Sequence, residues 1–216
     1  MVYLYIMPKE KRIKEKKKLP KKTKNNPFPI VAIGASVGGL KAVTALLENV
    51  TPKTGMAYIF VQHLSPTHKS HLTEILSKIT EMKVQDIEDM EKMIPDNIYV
   101  IPFDKGIKVT DGHIKLVPRT KRGKPISIDI LFSSLAETHK ENVVGVVLSG
   151  NLDDGTDGLK AIKDAGGITF AQDGSADADS MPTSAIASGV VDFVLSAKEI
   201  GNELSKININ GVLKRD

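Results

Sequence analysis

Three stretches of the chain place side chains suited to acyl-transfer chemistry directly after runs that read as buried strands. Ser36 follows the apolar start of PIVAIGASVGGL (29–40), His63 follows AYIFVQ (57–62), and the acidic loop Gly150-Asn151-Leu152-Asp153-Asp154-Gly155 follows VVGVVLS (143–149). A hydroxyl, an imidazole and a carboxylate are the groups from which a base-activated serine is built. The imidazole takes the hydroxyl proton as oxygen attacks an acyl carbon, and the carboxylate holds the ring and balances its charge. The spacing Gly34-x-Ser36-x-Gly38 fits a nucleophile elbow, where small neighbours permit a sharp turn that lifts the hydroxyl above a sheet.

Each group also has a plainer use. Ser36 would serve as a helix N-cap, His63 as a buried ring bonded to a backbone carbonyl, and Asp153, Asp154 or Asp157 as a cap for the helix that follows. Other chemistries fit less well. His63, His68 and His71 cluster, but the zincin pattern H-E-x-x-H is absent. Aligned to a calcium loop from Asn151, the acidic segment puts Gly155 and Thr156 where a ligand and the turn glycine belong. A dinucleotide fingerprint fails because Ser36 stands at its second glycine and no acidic residue ends the second strand. No cofactor or metal is expected, and a nucleotide-binding module remains the non-enzymatic alternative from motif alone.

The elements that must position these groups alternate. Helical spacing of Leu40, Val43, Leu46, Leu47 and Val50 predicts one helix; Leu72, Ile75, Leu76 and Ile79 predict a second. A weak strand lies near Val84 and a firmer one at 98–101. Two alternating runs within 107–117, joined at Asp111-Gly112, predict a hairpin. Helices around 128–137, 159–165, from Pro182 and over 197–207 then interleave with strands at 143–148, 168–172 and 191–195. This predicts a doubly wound α/β fold of Rossmann-like, three-layer type. Its sheet is mostly parallel with helices on both faces, a small antiparallel hairpin interrupts it, and the ligand crevice lies beyond the carboxyl ends of the strands.

The chain of 216 residues suits one such core, and its lack of cysteine excludes a disulfide scaffold, a cysteine zinc site and a thiol nucleophile. The formal charge of +4 hides an asymmetry: residues 1–26 hold ten Lys/Arg against two Glu, leaving twenty basic and twenty-four acidic residues in the body. The division expected is a basic flexible tail or linker over 1–28, a folded domain over 29–207 and a short tail over 208–216. The tail lacks the interleaved aromatics and folded module of a nucleic-acid reader, so nucleic acid is not an expected partner. Arg119, Lys121, Arg122 and Lys124 form a second basic stretch, read as a solvated loop. No signal peptide or membrane span is expected, since the basic run follows the apolar MVYLYIM and no apolar run nears about 20 residues.

Taken in order, IGASVGG, VQHLSP, YVIP, PISIDILFSSLA, VVLSGNLDDGTDGL, IKDAGGITFAQD and MPTSAI resemble the catalytic domain of the chemotaxis protein-glutamate methylesterases (CheB) over about 29–196. The resemblance implies a Ser-His-Asp triad that falls on Ser36, His63 and Asp154. It implies hydrolysis of glutamate methyl esters on cytoplasmic methyl-accepting chemotaxis receptors, releasing methanol, with a related glutamine deamidation. It also implies an oxyanion donor at Asn151; a second donor at Val37, just after the serine, is inferred. Val37 stands where some members carry threonine, and Asn151 where methionine is familiar. Many members carry a receiver domain ahead of this one, for which residues 1–28 are too few. HLSPTHKSHL and DADSMPTSAI look closer to methylesterase domains fused to receptor methyltransferases, so a fused or separate methyltransferase is an expected partner. A catalytically silent binding module on the same fold is the alternative. The expected location is cytoplasmic.

Overall fold

The structure, a computed structural model, describes residues 28–63, 71–102, 105–110, 113–118 and 128–207. The expectations for residues 1–27, His68, the Asp111-Gly112 turn, the basic stretch from Arg119 to Lys124 and residues 208–216 lie outside these. The elements run β1 (Ile30–Ala35), α1 (Gly39–Leu47), β2 (Ala57–Gln62), α2 (Leu72–Leu76), β3 (Lys83–Asp86), β4 (Glu91–Lys92), β5 (Asn97–Val100), β6 (Lys105–Thr110) and β7 (His113–Pro118). They continue with α3 (Ile128–His139), β8 (Val143–Val147), α4 (Thr156–Asp164), β9 (Ile168–Gln172), α5 (Ser180–Ala187), β10 (Phe193–Leu195) and α6 (Ala197–Lys206).

Seven strands form one parallel sheet in the order β10-β9-β8-β1-β2-β5-β3. β1 lies inside it and all six of its residues are buried, as a strand covered on both faces requires. Because side chains alternate along a strand, Val31, Ile33 and Ala35 join a cluster with α1, α2 and α6, while Ile30 and Ala32 join one with α3, α4 and α5. Phe28 packs against the second cluster. From β1 the chain passes through β2, the edge strand β3 and then β5 on one side, and later through β8, β9 and β10 on the other, which is the doubly wound topology with its switch point beside β1.

The hairpin is present as β6 and β7, and β4 adds to it, making a separate antiparallel sheet in the order β4-β7-β6 that the sequence did not announce. Boundaries moved elsewhere. α2 stops at Leu76 instead of reaching Ile79, because the backbone tightens to i−3 bonds (Lys78 N–H to Ile75 O, Ile79 N–H to Leu76 O). α4 begins at Thr156 and α5 at Ser180, earlier than the apolar periodicity indicated: the first turn of α4 is held by Asp129, whose Oδ1 accepts Gly158 N–H, and α5 opens with no side-chain cap. β10 is confined to 193–195; ahead of it Asp192 N–H donates to Thr169 of β9, to its carbonyl at 3.1 Å and its Oγ1 at 2.9 Å. Among the described residues no helix is long and apolar enough to cross a membrane.

Candidate active site

The parallel ladders bring the ends of β2, β1 and β8 side by side. Ala35 pairs with Gln62, and the ladder runs on past the strands. His63 N–H donates to Ala35 O (3.0 Å), Leu148 N–H to Gly34 O (2.9 Å), and Ser36 N–H to Ser149 O (2.9 Å). Ser36 is therefore fixed by backbone between the neighbouring strand ends. Its side chain packs over Gly150, where an added Cβ would fall 2.9 Å from Ser36 Cβ.

The turn after Ser36 differs from a strained elbow in one respect. The left-handed residue is Gly38 (φ 75°), which is also the N-cap of α1, whereas Ser36 has no positive φ. A Cβ on Gly38 would lie 2.5 Å from Ser149 Oγ, so glycine is needed for both backbone and space. Ser36 is thus not the cap residue of α1, and its hydroxyl forms no hydrogen bond among the described residues.

His63 and Asp154 are brought together directly: His63 Nε2 lies 2.7 Å from Asp154 Oδ2. The histidine is thus bound to a carboxylate instead of a backbone carbonyl, and both side chains are mostly shielded, 13% and 16% exposed. Asp154 does not cap the helix that follows it. It reaches to the start of α3, where Oδ2 also accepts Ile128 N–H (2.8 Å) and Oδ1 accepts Asp129 N–H (3.1 Å). Burial alone would raise the Asp154 carboxyl. The His63 bond and the two α3 amides outweigh it and bring the group down to about 2, so it is an anion at neutral pH. Asp153 and Asp157 are exposed, which singles out Asp154 among the three aspartates that spacing left open.

Val37 and Asn151 flank this edge. Val37 is 55% exposed, Asn151 is exposed, and neither backbone N–H has an acceptor among the described residues. Leu152, beside Asn151, is 73% exposed and held at φ 69°, a conformation costly for a leucine. His71, the cap residue at the start of α2, is exposed and lies 3.4 Å from Glu74.

Two residues here escaped the sequence reading. Ser149 is fully buried; its Oγ donates to Val37 O (2.7 Å), with Ala178 O as a second acceptor at 3.2 Å, and accepts Ala178 N–H (3.0 Å). Its own N–H donates to Gln172 Oε1 (3.0 Å). Asp129, in the first turn of α3, accepts Gly155 N–H (2.9 Å) and Gly158 N–H (2.7 Å) on Oδ1. The available signals were a serine closing the strand run VVLS and an acidic residue opening a helix in PISIDIL; neither identified its partners.

A doubly wound α/β domain with a carboxylate-bound imidazole and a serine at adjoining strand ends has the layout of a hydrolase whose crevice opens at the sheet's carboxyl edge. The model of the CheB methylesterase family matches residues 31–204, and the chain belongs to that family. It is 33% identical over 193 residues to protein-glutamate methylesterase/protein-glutamine glutaminase 2 of Shewanella sp. strain MR-4, covering 87% of this chain and 54% of that protein. It is 34% identical over 187 residues to the protein-glutamate methylesterase/protein-glutamine glutaminase of Photorhabdus laumondii, covering 83% and 53%. The chain therefore spans about half the length of these relatives, whereas a relative from Leptospira interrogans, 30% identical over 192 residues, is matched over 99% of its length. Among solved structures, the Thermotoga maritima CheB methylesterase catalytic domain superposes with a TM-score of 0.76 at 30% identity, covering 82% of this chain and 97% of that one.

Proposed function

We propose that the protein is a serine esterase hydrolysing glutamate methyl esters on the cytoplasmic part of methyl-accepting chemotaxis receptors, with residues 29–207 as the catalytic unit. The observation that carries this reading is the 2.7 Å His63–Asp154 bond at the strand edge that also holds Ser36. Because Nε2 faces the carboxylate, the nitrogen left for the serine is Nδ1, the reverse of the arrangement in chymotrypsin-type proteases. Asp154 keeps the proton on Nε2, so Nδ1 carries the lone pair.

In the acylation step Ser36 Oγ bonds to the ester carbonyl carbon while its proton passes to Nδ1. Asp154 stabilises the resulting imidazolium, and the oxyanion takes backbone N–H bonds from Val37 and Asn151. Collapse breaks the bond to methoxide, which leaves as methanol with the proton from His63. Water then adds to the acyl-enzyme with His63 again as base, releasing glutamate and Ser36. An amide in place of the ester gives ammonia by the same steps, which is the glutaminase activity named for the relatives. The exposed Val37 and Leu152 offer apolar contacts to the receptor helix that carries the ester.

The enzyme that installs such esters, a receptor methyltransferase, is the natural functional partner, and the substrate places the activity in the cytoplasm. Incubation with methyl-labelled receptor tests the reading. Methanol release that disappears in Ser36→Ala is expected. Equal release by that variant, or receptor binding without turnover by any form, overturns it, the latter in favour of a binding module.

A further inference from the structure

The two helices that meet at the carboxyl edge exchange caps. Asp154, just before α4, binds the first amides of α3, and Asp129, in the first turn of α3, binds Gly155 and Gly158 at the start of α4. The helices touch backbone to backbone there: a Cβ on Gly158 would fall 2.5 Å from Phe132 Cβ and 3.0 Å from Asp129 Cα. The loop bearing Asp154 is therefore clamped from both ends.

A cap alone needs only an oxygen, and serine or asparagine serves as well as aspartate. At this position a second carboxylate stands beside Asp154. Burial first, then a hydrogen bond from the protonated carboxyl to Asp154 and the charge of Asp154, push Asp129 up to about 6 despite the bonds from Gly158 and Gly155. The ionised group is thus kept against a cost to the fold, as at sites where charge has work to do. The ionisable groups facing Asp129 are Asp154, from the loop after β8, and behind it His63, from the end of β2; Asp157, in the first turn of α4, is exposed.

We propose that Asp129 is a positioning residue for hydrolysis: it fixes the Asp154 loop through the Gly155 and Gly158 amides and places its negative charge behind the carboxylate that holds His63. This rests on the reading of Ser36, His63 and Asp154 as the hydrolytic groups. Asp129→Asn preserves an acceptor for the two amides and removes the charge; Asp129→Ala removes both.

The test follows the His63 ring by NMR titration without substrate, alongside kcat, KM and the acid limb of methanol release. In Asp129→Asn the ring midpoint and the acid limb move down together by about half a pH unit, the scale of one partly screened charge. kcat falls roughly three- to tenfold at constant KM. Asp129→Ala loses roughly a further tenfold, and should it fail to fold, Asp129→Asn decides alone. An unmoved His63 midpoint, or a fall in kcat with an unmoved acid limb, overturns the proposal. A wild-type protein that releases no methanol overturns the hydrolytic reading instead, and the ring titration still judges the coupling of Asp129 to His63.

Discussion

Replacing Asp154 with asparagine tests the site most sharply, because the three bonds the carboxylate accepts cannot all be kept by an amide. Oδ2 serves both His63 Nε2 (2.7 Å) and Ile128 N–H (2.8 Å), and Oδ1 serves Asp129 N–H (3.1 Å). With the amide oxygen in the Oδ2 position, the ring keeps its partner and tautomer but loses the anion opposite the imidazolium. A charge-assisted bond reduced to a neutral one costs about 1.5–3 kcal/mol, roughly ten- to a hundredfold in rate. With the NH2 in that position, it donates to Nε2 and drives the ring proton onto Nδ1, where it blocks proton uptake from Ser36. A wrong tautomer of this kind costs about 10⁴ in serine proteases. Either orientation leaves one α3 amide facing a donor, at about 1–3 kcal/mol, so the two compete and the fold weakens. The expected outcome is a fall in kcat of about 10 to 10⁴, set by which orientation prevails, with KM within about threefold, read as methanol released at saturating receptor. Urea unfolding should show a stability loss of about 1–2 kcal/mol. A variant within tenfold of wild-type kcat would refute the assignment of Asp154 as the group that holds the base.

Two further outcomes follow from buried polar groups. Ser149→Ala leaves the Ala178 amide without its acceptor and releases the Val37 carbonyl; we expect a loss of about 1–3 kcal/mol in chemical denaturation and a lower kcat as the Val37 peptide loosens, and full activity would argue against Val37 as an oxyanion donor. Stability should also respond to pH through two groups with opposite signs. Asp129 holds its proton more tightly folded than unfolded, so its contribution is greatest below about 4 and is lost as pH rises through about 6. His139, buried on α3 and brought down to about 4 by desolvation, resists a proton that the unfolded chain accepts. Its contribution is full above about 6.5 and drains as pH falls toward 4. Melting of Asp129→Asn should therefore match wild type near pH 4 and exceed it near pH 7.5; a gap that is constant with pH would contradict the raised Asp129 value.

Most of the scaffold was readable because parallel strands buried on both faces appear as apolar runs, and because serine and histidine lie immediately beyond two of them. What stayed hidden depends on partners distant in the chain. Spacing could not choose among Asp153, Asp154 and Asp157; the choice is made by the α3 amides, which draw Asp154 inward while its neighbours face water. Asp129 looked like an ordinary first-turn acid, and its partners lie 26 and 29 residues away. Ser149 looked like the end of a strand, while its hydroxyl reaches Val37 across 112 residues. β4 was invisible because two residues paired to β7 carry no periodicity of their own.

The chain order of the three site residues, serine then histidine then aspartate, follows from the winding of the sheet. β2 is the first strand after β1 and pairs with it on one side, so the histidine comes next in sequence. The other side of β1 is filled by β8, reached only after β5, the hairpin and α3 have been laid down, so the acid must come last. α3 enters that edge amino end first, and its Ile128 and Asp129 amides become donors for whatever carboxylate the β8 loop supplies. The acid is thus held by the helix that delivers the chain to its own strand. For that reason changes at the start of α3 should alter the base through Asp154, more weakly than loss of the Asp154 carboxylate itself.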